Sequence, residues 1–232
     1  MAISSARLAI QQPMPFGRVD TGAVRDPIIE PLWVGRRVLA NVTSGEPALL
    51  TDEDGEALVT FAALREEIGA ANMAATLIVD GYLTAQIRDS VGLIVPDVTD
   101  GMATPAEMSR QMIMGGGGSG REARRDHAEA SIKNRAAMPE EAGAGFVAVD
   151  LLELDGESLL DVPLLERKRL LESALGESAN VRRTPIVRAP AATWYSQWRS
   201  VGFSEMAFKA ANGRYTPGVA SRDWAIVRIP KR

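Results

Sequence analysis

Few side chains in this sequence could act as a nucleophile or bind a metal. The 232 residues include no cysteine and one histidine, His127, which excludes disulfides, thiolate catalysis and metal sites rich in Cys or His. A Ser-His-Asp triad would depend on His127 alone. This residue lies in a polar, charged stretch, which favours an exposed position on a helix. We therefore predict no metal site.

A glycine-rich stretch, Gly115 to Gly120, is the second candidate for chemistry. Glycine-rich loops that precede a helix can bind phosphate through backbone N–H groups. Here no Gly-Lys-Ser/Thr follows the glycines and no strong strand precedes them. The pattern therefore favours a flexible loop over a phosphate site.

Basic residues are concentrated at the C-terminal end. Residues 181–232 hold ten basic and two acidic residues, a net charge of +8, so the first 180 residues carry −12 of the overall −4. Basic residues interleaved with aromatic ones can bind a polyanion. The alternative is that this end docks on the acidic remainder of the chain. The candidate nucleic-acid contacts are Arg182, Arg183, Arg188, Arg199, Arg214 and Arg222.

The elements that must position these residues are short strands with a few helices. The composition is that of a globular protein, with 46% hydrophobic and 24% charged residues and no apolar run long enough to cross a membrane. Apolar spacing predicts helices over residues 61–71, 162–175 and 191–201. A hairpin is predicted over residues 48–61, with strands at residues 26–42, 75–85 (broken at Asp80-Gly81), 146–159 and 180–187 and two more in the last thirty residues. This pattern indicates an α+β fold of antiparallel sheets flanked by helices.

The chain is predicted to form one domain, over residues 21–232. Residues 1–20 lack a period and are interpreted as an N-terminal arm, and residues 97–144 as a glycine-rich insertion. No secretory signal is recognised, and the lack of cysteine agrees with a reducing compartment, so we expect a cytoplasmic protein with no membrane contact.

Two segments resemble the adenylation (nucleotidyltransferase) domain of ATP-dependent DNA ligases. They are VDLLELDGESLLDVPLLERKRLLE (residues 149–172) and KAANGRYTPGVASRDWAIVRIP (residues 209–230). Weaker similarity lies in EPLWVGRRVLA (residues 30–40) and LIVDGYL (residues 77–83). The resemblance implies an ATP-grasp-like fold, and we expect the protein to lack the OB-fold domain that follows in such ligases.

The residues that match the family are mostly those that shape its fold. Few of the residues that carry out the family's reaction are matched. Family members attack the α-phosphate of ATP with a lysine, but the corresponding position here is Leu32. The other positions that have lost a charged family residue are Val34, Tyr82, Ser204 and Ile226. If a nucleotide or phosphate is bound, the resemblance assigns its contacts to Arg37, Lys209 and Arg228.

These losses predict a non-catalytic relative that binds DNA, or a protein of a DNA repair complex, and needs no cofactor. One alternative is an active ligase or nucleotidyltransferase that uses a displaced lysine, Lys209, with ATP and Mg²⁺. The other is a structural or regulatory subunit whose remnant cleft has become apolar through Leu32, Val34 and Ile226.

Overall fold

The computed structural model describes residues 10, 12–17, 21–87 and 138–230. The glycine-rich stretch, His127 and most of the predicted insertion lie outside these residues. The described chain contains two sheets and three α-helices, with short 3-10 turns at Thr21–Ala23, Glu141–Gly143 and Ala191–Trp194. The helices are α1 (Ala62–Ala71), α2 (Leu164–Ala174) and α3 (Tyr195–Ser200).

The larger sheet holds seven strands in the order β4-β3-β2-β5-β6-β7, with β8 paired to β6. Its strands are β2 (Arg36–Thr43), β3 (Leu49–Asp52), β4 (Ala57–Leu58), β5 (Thr76–Thr84), β6 (Gly145–Leu154), β7 (Glu157–Ser158) and β8 (Val181–Arg183). All the pairings are antiparallel except that of β6 with β8. The central strands β5 and β6 are buried on both faces, because α1 and α2 cover one face and the smaller sheet approaches the other.

The smaller sheet is antiparallel, in the order β11-β10-β1-β9. Its strands are β1 (Pro27–Pro31), β9 (Val187–Arg188), β10 (Glu205–Ala210) and β11 (Trp224–Arg228). Aromatic side chains join it to the larger sheet. Trp33 and Phe203 pack edge to face, with ring centroids 4.8 Å apart, in a cluster that includes Tyr82 and Trp198. Such pairs add to the free energy gained by burying the rings. The α+β fold of antiparallel sheets flanked by helices that the sequence predicts is confirmed.

Three predicted elements are corrected. The strand over residues 180–187 is two strands in different sheets: β8 pairs with β6 and β9 pairs with β1. Pro185 lies between them, and its missing N–H does not suit a continuous strand. The strand over residues 75–85 is not broken. It runs from Thr76 to Thr84 with register shifts at Ile78/Val79 and Asp80/Gly81. The predicted helix over residues 191–201 is a 3-10 turn followed by α3.

Gly81 is needed at the second of these shifts. A Cβ atom there would lie 2.4 Å from the Phe146 ring, and therefore only glycine allows the ring to cover the strand. The predicted hairpin, the helix that follows it and the helix after β7 are all present. In residues 21–87 and 138–230, no helix is both long and apolar enough to span a membrane.

Candidate functional site

The loop between β1 and β2, residues 32–34 with Gly35, carries Leu32, the position that the resemblance assigns to the family nucleophile. Leu32 is buried, and its N–H donates to the Glu205 carbonyl at 3.0 Å. The Val34 N–H donates to Gln86 Oε1 at 2.7 Å, and Thr84 Oγ1 donates to the Val34 carbonyl at 2.6 Å. These bonds fix the loop backbone without any contribution from the side chain at position 32.

Gly35 closes this loop against β5. Its φ is +150°, and a Cβ atom there would lie 2.0 Å from the Leu83 carbonyl oxygen. Larger residues are therefore excluded. The Trp33 indole N–H donates to Thr184 Oγ1 at 2.9 Å, which ties the loop to the chain that crosses between the sheets. The loop conformation is thus determined by its neighbours.

The remaining positions at which the resemblance implies the loss of a charged residue differ in exposure. Tyr82 is buried among apolar side chains, opposite Arg37 in the β2–β5 pairing. Ser204 is exposed just before β10, and Ile226 is half-buried on β11 opposite Ala207. Within the residues that the structure describes, no group of three or more His, Cys, Asp or Glu side chains could hold a metal ion.

Arg37, which the resemblance assigns to a nucleotide contact, forms a buried ion pair with Asp80. Its Nε and Nη2 donate to the two oxygens of Asp80 at 3.0 and 2.6 Å. The Tyr215 hydroxyl donates to Asp80 Oδ2 at 2.8 Å, and Arg37 Nη1 donates to the Met14 carbonyl at 2.8 Å. Burial and the charge of Asp80 raise the pKa of Tyr215 well above its ordinary value, and therefore the phenol stays protonated.

Lys209 belongs to a second buried group, the Glu30 cluster, which we define as Glu30, Lys168 and Lys209. The lysine ammonium groups lie 2.5 Å (Lys168) and 2.8 Å (Lys209) from the two carboxylate oxygens of Glu30. Lys209 Nζ also lies 4.3 Å from the centre of the Trp224 ring, which is a cation–π contact. Two cations thus share one carboxylate inside the protein.

This arrangement shifts two pKa values. Burial opposes ionisation of Glu30, but Lys168 and Lys209 outweigh that effect and lower its pKa. Burial lowers the pKa of Lys168, and the positive charge of Lys209 lowers it further against the attraction of Glu30. Glu30 is therefore charged, and Lys168 holds its proton less firmly than a lysine in water.

Lys168 is not among the site residues predicted from the sequence. Lys168 is buried because it follows Leu164 by four residues and precedes Leu171 by three, on the side of α2 that packs inward. Its neighbour Arg167 is also buried and binds both oxygens of Asp150 at 2.8 and 2.7 Å. The helical spacing of these basic residues with the leucines was the signal that could have revealed them.

Part of the predicted N-terminal arm packs against the same groups. The Met14 N–H donates to the Tyr215 hydroxyl at 2.8 Å, and the Ser221 N–H donates to the Pro15 carbonyl at 3.0 Å. The Phe16 ring lies 5.3 Å from the Trp224 ring. Residues 12–17 are thus packed against the domain and not detached from it.

The six arginines predicted to bind nucleic acid are not equally available. Arg182 and Arg183 lie 4.0 and 3.6 Å from Glu177, Arg188 lies 2.9 Å from Asp26, and Arg214 lies 2.5 Å from Asp161. Arg199 donates to the Pro230 carbonyl. Arg222 is exposed, as is Arg228, which was predicted as a phosphate contact. Arg214 keeps 67% of its side chain accessible despite its partner.

Comparisons with known proteins agree with this fold. Residues 107–227 match the family model of the ATP dependent DNA ligase domain. A DNA ligase from Methanoculleus marisnigri is 35% identical over 79 residues, which are 34% of this chain and 14% of that protein. The matched part is therefore a small fraction of the length of that relative.

Two solved structures have a similar fold. The ligase domain of LigD from M. tuberculosis has a TM-score of 0.55 at 19% identity, over 96% of this chain and 59% of that chain. A mycobacterial DNA ligase D complexed with ATP and MES also has a TM-score of 0.55, at 20% identity, over 96% of this chain and 60% of that chain. At these identities the likeness concerns the fold alone.

Proposed function

The chain belongs to the ATP-dependent DNA ligase domain family, and from this premise we propose that it is a non-catalytic member that binds DNA in a repair complex. The observation that carries the proposal is the side chain of Leu32. A leucine at the family's nucleophile position has no lone pair with which to attack the α-phosphate of ATP. Because the surrounding bonds hold the loop through its backbone, the fold accommodates this replacement.

The residues nearby do not fit ATP and Mg²⁺. Ser204 and Ile226 supply neither a carboxylate for a metal nor a cation for a phosphate. Arg37 and Lys209 would have to leave Asp80 and Glu30 before either could bind a phosphate oxygen. Separating buried ion pairs costs several kcal/mol, about 3–5 when one partner is left unpaired. We therefore assign no cofactor to this chain.

DNA binding is supported by the charge of the C-terminal part of the chain. Arg214, Arg222 and Arg228 are exposed, and residues 181–232 carry a net charge of +8. Phosphate contacts by arginine need no base recognition, so this surface would bind DNA largely without sequence preference. The acidic partners of Arg182, Arg183 and Arg188 leave those residues a smaller contribution.

Filter binding at low salt tests the proposal on nicked, duplex and single-stranded DNA. We expect binding whose equilibrium constant falls linearly with the logarithm of salt concentration, because each phosphate contact releases counterions. Absence of binding to all three forms at low salt would refute the DNA-binding part of the proposal. The remaining form of the proposal would be a non-catalytic member that binds a protein partner.

A nucleotidyltransferase that uses a displaced lysine is the second candidate. The observation that favours it is the Glu30 cluster, because a buried amine beside a second cation releases its proton more easily and becomes a better nucleophile. This points to Lys168 more than to Lys209, the residue predicted for this role from the sequence. A covalent AMP adduct on either lysine would distinguish this candidate from the non-catalytic one.

A further inference from the structure

Among the residues that the structure describes, the β3–β4 hairpin leaves one edge of the larger sheet unpaired. Strand β4 stands last in the strand order of this sheet and pairs with β3 alone. The Asp52 N–H donates to the Glu56 carbonyl at 3.0 Å. Since the backbone groups of successive residues in a strand alternate in direction, those of Ala57 point away from β3. These are the groups to which a further strand would bind.

The hairpin is held at both ends, so its edge has a defined shape. At the turn, Arg36 Nη2 lies 2.5 Å from Asp52 Oδ2, and Asp52 Oδ1 accepts the N–H groups of Asp54 and Glu56 at 3.0 and 2.9 Å. Burial opposes ionisation of Asp52, but these hydrogen bonds outweigh it and lower its pKa.

The open end of the hairpin is held by Arg65 of α1. Its Nε donates to the Ala48 carbonyl at 2.7 Å, and its Nη1 to the Val59 carbonyl at 3.4 Å. A preformed edge of this kind pays little conformational entropy when a strand is added.

Two apolar side chains stand beside this edge in solvent. Leu49 lies on β3, and Val59 directly follows β4. Their exposed fractions are 62% and 79%. Leu50 and Leu58, on the other face, pack into the core. Exposed apolar side chains beside the edge of a sheet form a contact site for the side chains of an added strand.

Acidic residues flank the edge at both ends. Glu53, Asp54 and Glu56 are exposed in the turn, and Glu141 accepts the Ala62 N–H at 3.0 Å just beyond Val59. The cations on the hairpin, Arg36 and Arg65, are engaged in the bonds described above. Two copies paired through β4 would bring acidic groups together, which opposes self-association. A basic segment would be attracted at both ends.

We propose that this edge, which we call the β4 edge (Ala57 and Val59 with Leu49), binds a short extended basic segment of a partner protein by strand addition. The outward groups of Ala57 bind the backbone of the segment. Leu49 and Val59 contact its apolar side chain, and the flanking acids contact its Lys or Arg residues. None of the arginines assigned to DNA contributes, so the inference does not rest on the proposed function.

The test uses the full chain, labelled with ¹⁵N, and two heptapeptides of equal charge. The peptide Lys-Val-Lys-Val-Lys-Val-Lys can form a strand, and Lys-Pro-Lys-Val-Lys-Pro-Lys lacks the N–H groups that a strand needs. We expect the first peptide to shift the amide signals of Ala57 and Val59 and to bind at least tenfold more tightly than the second.

Two variants identify the contacts. Ala57→Pro removes an outward N–H and no hydrogen bond to β3, so the fold is kept while binding of the strand-forming peptide falls at least tenfold. Reversing the charges of Glu53, Asp54 and Glu56 to Lys weakens binding by a similar factor at low salt. The matched control Met73→Ala, an exposed apolar residue elsewhere, leaves binding unchanged.

Three results would overturn the inference. One is equal binding of the two peptides, or no binding of either at millimolar concentration. Another is binding that survives Ala57→Pro in a variant that still unfolds at the wild-type temperature. The third is a concentration-dependent dimer in sedimentation that Ala57→Pro abolishes, because the edge would then pair two copies of this chain.

Discussion

Charged residues between the two sheets and charged residues on the C-terminal surface behave differently. Inside, Arg37, Asp80, Arg167, Asp150 and the Glu30 cluster are buried and bound to one another at 2.5–3.0 Å. Outside, Arg214 contacts an exposed partner, and Arg222 and Arg228 face solvent. The interior groups hold the fold together, whereas the exterior groups remain accessible to a ligand.

The difference follows from the cost of desolvation. A buried charge must be paired, and losing its partner is expensive, whereas an exposed ion pair contributes about 0–1 kcal/mol and is easily exchanged for another anion. Arg37 and Lys209, which the resemblance assigned to a phosphate, are thus committed to the protein's own carboxylates. Arg228, the third of that set, is exposed.

Of these changes, loss of the Asp80 carboxylate should lower the free energy of unfolding most. In Asp80→Asn the buried Arg37 loses its charged partner and Tyr215 loses a charged acceptor. We expect the free energy of unfolding to fall by about 3–5 kcal/mol, measured by urea denaturation. Asp161→Asn, which removes the exposed partner of Arg214, should change it by less than about 0.5 kcal/mol. Equal losses in the two variants would remove the distinction between the interior and the surface.

Glu30→Gln should be the next most damaging change, because it leaves Lys168 and Lys209 buried together. We expect a loss of about 3 kcal/mol in the free energy of unfolding. Lys168→Met alone should cost less than about 1 kcal/mol, because Glu30 keeps Lys209 and one desolvated charge is removed. Adding Lys168→Met to Glu30→Gln should recover part of the loss. A double variant less stable than Glu30→Gln would contradict this account of the cluster.

Acid should reduce the stability of the protein as Glu30 becomes protonated. The pKa of Glu30 in the folded protein is below its value in the unfolded chain, near 4.5. Its contribution is therefore fully present above about pH 4.5 and is lost as the pH falls through the lower, folded value. The midpoint of urea unfolding should decline below pH 4.5, and the decline should be shallower in Glu30→Gln. The control Glu157→Gln, on an exposed residue of β7, should follow the wild type.

Surface arginines should affect binding without affecting stability. Replacing Arg222 and Arg228 with alanine should change the free energy of unfolding by less than about 0.5 kcal/mol. If each contacts a phosphate, the slope of log K against log salt should decrease by about two in the double variant. Filter binding over a salt series measures this slope. An unchanged slope would place the DNA contacts elsewhere.

The sequence was enough to predict the fold class and most elements, because their signals are local. Alternating or continuous apolar runs predict β2, β5 and β6, and leucines at helical spacing predict α2. The crossing at Pro185 was not predicted, because the residues before and after it have the same strand propensity. Which sheet each joins is decided by partners far along the chain, β6 and β1.

The pairing of the buried charges could not be predicted either. Arg37 reaches Asp80 because the β2–β5 register places Arg37 opposite Tyr82, two residues from Asp80 on the same face of the strand. Glu30 meets Lys168 and Lys209 only after β1, β10 and α2 have packed together. The replacement of charged family residues, which was inferred from the motifs, stays a prediction.

Incubation of the full chain with ATP labelled at the α-phosphate shows most directly whether this chain can form a covalent AMP adduct. The reaction contains Mg²⁺ or Mn²⁺, an active ligase runs in parallel, and intact mass reports the product. We predict that the control ligase gains AMP and that this chain does not. Leu32 replaces the nucleophile, and the buried lysines are bound to Glu30. A mass increase of one AMP, mapped to Lys168 or Lys209, would contradict this prediction.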